Sequence, residues 1–198
     1  MRSDLRNSAS LILSVLLNVS PLVGQSPPSV TVSGGVANAY RGTGVSGSAR
    51  LEWQLHSLSR DADLLLGGGA WIAQTGVHNS ELHRTAWGAG PQIGIGWYPA
   101  GSAWRFYAGT GVELLRSFNE NPLVPVDDPE PALPPASDYA AADGTGAGAA
   151  FTLRFSTPPG GGAALELGAV ATRHALFDGG AVWWTRYEIG LRFGGGRR

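Results

Sequence analysis

The chain has 198 residues, enough for one domain with a substantial core or a single closed sheet, and its formal net charge of −1 offers nothing that recruits nucleic acid. Cysteine is absent, which excludes disulfides, thiolate metal sites and lipid attachment through an N-terminal cysteine. Lysine is absent too, so a phosphate-binding loop ending in Gly-Lys-Ser/Thr is excluded, and no apolar run of roughly 18 residues is present to cross a bilayer as a helix.

In chain order, Arg2 and Arg6 precede an apolar stretch from Ala9 to about Val23, which breaks at Gly24-Gln25-Ser26-Pro27-Pro28. This is the pattern of a secretory signal over residues 1–25, with an exported domain over 26–198; a buried N-terminal helix is the alternative. Eight alternating segments then recur, bounded by glycine, proline or polar clusters. They are approximately Val30 to Tyr40, Gly47 to Leu58, Leu64 to Gly76, Ala86 to Tyr98, Trp104 to Phe118, Tyr139 to Phe155, Ala163 to Phe177 and Val182 to Phe193. Connections at 59–63, 99–103 and 156–162 are short, whereas those at 41–46, 77–85, 119–138 and 178–181 form a second set that includes two longer members.

Successive side chains of a strand point to opposite faces. In the fourth segment Trp87, Ala89, Pro91, Ile93, Ile95 and Trp97 share one face, and Gly88, Gly90, Gln92, Gly94, Gly96 and Tyr98 the other. Trp104, Phe106, Ala108, Val112 and Leu114 likewise oppose Arg105, Tyr107, Gly109 and Glu113, and Leu51, Trp53 and Leu55 oppose Arg50, Glu52, Gln54 and His56. In the last segment Trp183, Thr185, Tyr187, Ile189, Leu191 and Phe193 oppose Val182, Trp184, Arg186, Glu188, Gly190 and Arg192. The third, LLLGGGAWIAQTG, does not declare a face.

A soluble lipocalin-like barrel that binds an apolar ligand would turn the apolar stripes inward. Three observations turn them outward. An eight-stranded barrel is just wide enough for side chains to fill, so tryptophans on most strands would overcrowd it. Aromatic residues gather near strand ends, with Trp97, Trp104, Phe155 and Phe193 at the short-turn rim and Tyr40, Trp87, Phe118, Tyr139 and Trp183 at the other. No helix is available to cover the apolar face, whereas lipid can cover it. The expected fold is therefore all-β, an eight-stranded antiparallel up-and-down transmembrane β-barrel with its short turns periplasmic. Arg50, Glu52, Arg105, Glu113, Arg154, Glu166, Arg186, Glu188 and Arg192 would then line the lumen as ion pairs, with Glu166 expected to meet Arg154 or Arg192. Their expected role is to fill and register the barrel, with conduction or proton relay as the alternative.

On these residues the chain resembles the small eight-stranded outer-membrane barrels, the class of the OmpA transmembrane domain and the OmpX-like proteins. The last strand carries the most specific feature: Glu188, Gly190 and Phe193 are similar to the family's assembly signal, although Gly194-Gly195-Gly196-Arg197-Arg198 follows where the family commonly ends on the aromatic residue. The resemblance implies location in the bacterial outer membrane, with outer-membrane lipid and the barrel-assembly machinery as partners. No periplasmic peptidoglycan-binding domain follows the barrel in this sequence, so that role of larger relatives does not carry over.

Gly42-Thr43-Gly44-Val45-Ser46-Gly47 satisfies G-x-G-x-x-G, but a strand and not a helix follows, so a flexible hairpin loop is expected and not a dinucleotide site. His78, Ser80, Glu81 and His83 gather imidazoles, a hydroxyl and a carboxylate, the materials of a hydrolase in which histidine activates serine. The H-x-S portion is similar to part of the lipid A deacylase pattern, with Gln92 twelve residues beyond Ser80 and no recognisable glutamate position. The loop NENPLVPVDDPEPALPPASD carries six prolines and five acids without a base, and is expected to be solvated. No metal and no cofactor is assigned. The expected function is a structural, adhesive or protective outer-membrane barrel without catalysis, with a filled polar lumen and surface loops as recognition elements; a lipid-modifying hydrolase is the alternative.

Overall fold

The computed structural model describes residues 27–39, 42–76, 83–100, 102–120, 144–177 and 180–195. The strands are β1 (Ser29–Ala39), β2 (Gly42–Ser59), β3 (Ala62–Gly76), β4 (His83–Trp97), β5 (Arg105–Glu120), β6 (Gly144–Ser156), β7 (Ala163–Leu176) and β8 (Ala181–Phe193). Each pairs antiparallel with its sequence neighbours, and β1 also pairs with β8 from Val30↔Phe193 to Ala39↔Trp184. The sheet thus closes on itself as an up-and-down barrel and leaves no unpaired edge.

Burial follows the two-residue period except in the second half of β2, where Glu52 and Trp53 are both buried, against the outward face expected for Trp53, and residues 55–59 are all exposed. Along β8, Trp183, Tyr187, Ile189, Leu191 and Phe193 are exposed, while Val182, Trp184, Arg186, Glu188 and Arg192 are buried. The same division holds in β4 and β5, where Ile93, Ile95, Trp97, Phe106, Val112 and Leu114 face outward. The apolar stripe therefore lies outside and the charged stripe inside, the reverse of what a soluble ligand-binding barrel requires.

One sequence-based boundary is corrected. Gly42 to Gly47 is not a loop but the first part of β2, paired to β1 through Ala39↔Gly42 and Val36↔Val45 and continuing into β3 contacts from Gly44↔Thr75. Glycine is needed at 44 because a Cβ there would collide with the carbonyl oxygen of Gln74. The G-x-G-x-x-G pattern thus reflects close strand approach. Tyr139, the expected start of the sixth strand, lies outside the described residues. At the short-turn end, β2 shifts register against β3 between Gln54 and His56 and again between Ser57 and Ser59, as bulges at a barrel rim do.

The interior has two halves. Toward the long-loop rim, Ala37, Ala39, Trp71, Ala73, Ala86, Leu115, Leu176, Val182 and Trp184 pack as one apolar cluster. The lumen is therefore not polar throughout: it holds Trp184, which alternation had set on the face of Arg186, and Trp71, whose strand declared no face. Small neighbours make the room: alanines surround the pair, and a Cβ on Gly88 would lie 2.6 Å from the Trp71 indole nitrogen. The Trp71 and Trp184 rings meet at 5.4 Å between centroids, tilted by 54°. Overpacking of a filled interior typically costs about 1–3 kcal/mol. Gly88→Val is accordingly expected to destabilise the barrel by about that amount and to shift Trp71 emission, as measured by urea unfolding in detergent micelles with fluorescence detection.

Candidate functional site

Below the apolar plug the interior is ionic. Arg50 on β2 reaches across the barrel to two carboxylates at once, its Nη2 lying 2.5 Å from Glu166 Oε1 on β7 and its Nη1 2.6 Å from Glu188 Oε2 on β8. Glu188 also accepts hydrogen bonds from Ser33 Oγ at 3.2 Å and Ser48 Oγ at 3.1 Å, and its other oxygen lies 3.2 Å from Arg186 Nε. Glu52 is held by Arg105 and, at 3.3 Å, by Arg154. Arg154 continues to Glu166 at 3.7 Å, and Arg192 touches Glu166 at 4.0 Å. Arg186 extends the chain upward to Glu113 at 3.7 Å.

All nine charged residues expected in the lumen are buried and lie within this one network. Glu166 does approach Arg154 and Arg192, but its shortest contact is with Arg50, which the sequence did not suggest. Each carboxylate of the network engages a buried arginine, so the desolvation of these charges is offset by mutual attraction in a low-dielectric interior.

The sequence reading placed Glu113 in the lumen but missed Trp71 and His174, through which it joins the two halves. Glu113 accepts a hydrogen bond from Trp71 Nε1 at 2.9 Å and lies 3.6 Å from His174 Nε2, so it couples the charged chain to the apolar plug. Arg186 stacks over the Trp71 ring at 4.1 Å, and Arg154 over the Tyr107 ring at 3.8 Å. The signal was parity: His174 shares its face with Glu166, and Trp184 with Arg186. Trp71 could not be placed because its strand declared no face. His78, Ser80 and Glu81 lie outside the described residues, and His83 is seen as the first residue of β4, paired with Gly76.

Outside, aromatic residues mark the short-turn rim across three strands. Trp104 stacks on Phe155 at 4.9 Å, Phe106 meets Phe155 at 4.9 Å, and Trp97 meets Phe106 at 5.6 Å. Toward the opposite rim, Trp87, Phe177 and Trp183 are exposed, with Arg173 over the Trp183 ring at 5.7 Å. Tyr40 and Tyr139 lie outside the described residues. Among the described residues there is no cluster of histidine and acidic side chains able to hold a metal ion.

A closed antiparallel barrel with an apolar exterior, aromatic rims and a charged, filled interior is an eight-stranded transmembrane β-barrel. The comparison with solved structures agrees: the chain is similar to the outer membrane enzyme PagL, with a TM-score of 0.52 at 9% identity over 83% of this chain and 98% of that one. It is also matched to Ail, the attachment invasion locus protein of Yersinia pestis, in complex with the heparin analogue sucrose octasulfate, with a TM-score of 0.46 at 11% identity over 84% and 99% of the two chains. The N-terminal β-barrel domain of Pseudomonas aeruginosa OprF gives 0.46 at 12% identity over 85% and 100%. No protein-family model matches the sequence, and no curated protein matches it at a significant level. The chain thus has the fold of the small eight-stranded outer-membrane barrels.

Removing one partner from a buried ion pair typically costs about 3–5 kcal/mol because the other charge is left uncompensated. Arg50→Met is expected to lose about that much stability, read as a fall in the urea midpoint in micelles. Adding Glu188→Gln should recover part of the loss, since one of the stranded charges is then gone.

Proposed function

We propose that the protein is exported through its N-terminal signal, residues 1–25, and is inserted in the bacterial outer membrane as a non-catalytic barrel of structural, adhesive or protective role. The observation that carries this reading is the pairing of an apolar, aromatic-rimmed exterior with an interior closed by packing. Lipid covers the outside, and the short turns face the periplasm. Glu188, Gly190 and Phe193 act as the signal read by the barrel-assembly machinery; Phe193 is exposed at the short-turn rim, where that strand end is accessible.

The interior argues for filling rather than passage. The tilted Trp71 and Trp184 rings pack with Leu115 and Val182 in the upper half, and the ion pairs below cross-link opposite walls. Together these features cement the barrel's shape while its connecting loops remain the recognition elements. In cell fractionation the protein is expected with the outer membrane, migrating differently on gels before and after boiling, and in planar bilayers it should carry no steady single-channel current. Recovery in the soluble periplasm would overturn the assignment.

A second reading has one observation behind it: the fold is shared with an outer membrane enzyme, PagL, and this sequence holds a His78-x-Ser80 pair between β3 and β4. In that reading Ser80 is the nucleophile of a lipid-modifying hydrolase. Overexpression should then release acyl chains from lipid A, and Ser80→Ala should abolish the release while leaving the boiled and unboiled gel mobilities unchanged. An unaltered lipid profile on overexpression removes this reading.

A further inference from the structure

The short-turn mouth of the barrel contains a cavity of about 500 Å³, within the range of small-ligand sites. Its wall includes Arg60, Asp61, Tyr98, Ser102, Pro159 and Arg192, so two guanidinium groups stand against one carboxylate. Two buried polar atoms of these lining residues have no hydrogen-bond partner among the described residues: Arg192 Nε and Ser102 Oγ.

Arg192 is the anomaly of the charged lumen. It is 5% exposed, yet its one ion contact, from Nε to Glu166 Oε2, stretches to 4.0 Å. Arg50, Arg105, Arg154 and Arg186 each reach a carboxylate at 3.3 Å or less. Glu166 has little left to give, because its Oε1 is taken by Arg50 at 2.5 Å and its Oε2 accepts from Ser156 Oγ at 3.0 Å. Glu52, the other carboxylate at this level, is already shared between Arg105 and Arg154. Asp63 is bound by Gln54 Nε2 at 3.0 Å and Ser57 Oγ at 2.9 Å. Arg192 is thus the most weakly paired arginine of the lumen, and its planar fork fits a carboxylate or a phosphate.

We propose that this cavity binds a small ligand through an oxyanion, either carboxylate or phosphate, with Arg192 as the ionic anchor and Ser102 Oγ as a hydrogen-bond donor. The Tyr98 ring and Pro159 give the cavity an apolar wall for the remainder of the ligand. Ligand entry is from the aqueous side of the short turns, so the site is separate from the loop rim that serves recognition. It completes the charge pairing of the lumen from outside the chain.

The test is calorimetric titration of the micelle-solubilised full-length protein, in low-chloride buffer, with inorganic phosphate, glycerol 3-phosphate as the headgroup mimic, and succinate. Saturable binding of at least one probe is expected, at least about tenfold weaker in Arg192→Met and also weakened in Ser102→Ala. Tighter binding of succinate would assign a carboxylate ligand, of glycerol 3-phosphate a lipid headgroup, and of inorganic phosphate the free ion. Failure of all three probes to saturate the wild-type protein would overturn the proposal, as would affinities unchanged in both variants. Ser102→Ala lies in a turn and removes no ion pair, so it remains informative if Arg192→Met fails to migrate as a folded barrel.

Discussion

Closing eight strands into a ring fixes the width of the space inside, and the two-residue period of the strands sends alternate side chains into it. Nothing in that space can be chosen independently of its neighbours. Tyr107 can lie flat beneath Arg154 only because Gly94 and Gly109 have no side chains, since a Cβ on Gly94 would come within 2.5 Å of the tyrosine ring. Trp71 is accommodated in the same way by Gly88. The abundance of glycine in the inward rows of β4 and β5 is therefore the steric counterpart of the large groups beside them, and close packing fills the lumen.

The charges obey the same constraint in another form. Arg50 links β2 with β7 and β8, Glu52 links β2 with β5 and β6, and Glu113 joins β5 to β8. None of these strand pairs is a hydrogen-bonded neighbour pair, so the ion pairs tie walls that the backbone ladder leaves apart. A one-residue slip of β2, β5, β6, β7 or β8 would turn its inward arginine or glutamate toward the apolar exterior and an outward leucine inward. Register is thus defended from inside the barrel by electrostatics and from outside by the apolar belt.

Parity made much of this legible in advance. In β8 and β5 the alternation of aromatic and charged residues told inside from outside, and the same parity gathered the nine charged residues onto one face. Which charge meets which could not be read in that way, because contacts across a lumen depend on strand tilt and side-chain reach, not on ladder order. Arg50 and Glu166, distant in sequence and on strands that do not pair, illustrate the difficulty. The apolar plug was hidden for a different reason. In β3, a leucine run followed by three glycines has no period, so Trp71 carried no address, and the overcrowding argument then counted against its true position. Gly42 to Gly47 misled through composition, since glycine required for close strand contact looks the same as glycine required for a turn.

In the sequence only residues 40 and 41 separate β1 from β2, whereas residues 121–143 separate β5 from β6. At that end the wall formed by β8, β1 and β2 has little chain to extend it, while β5 and β6 have much. Along the sequence, chain length at that end is therefore spread unevenly, with little beside β1 and β2 and a long acidic, proline-rich stretch between β5 and β6.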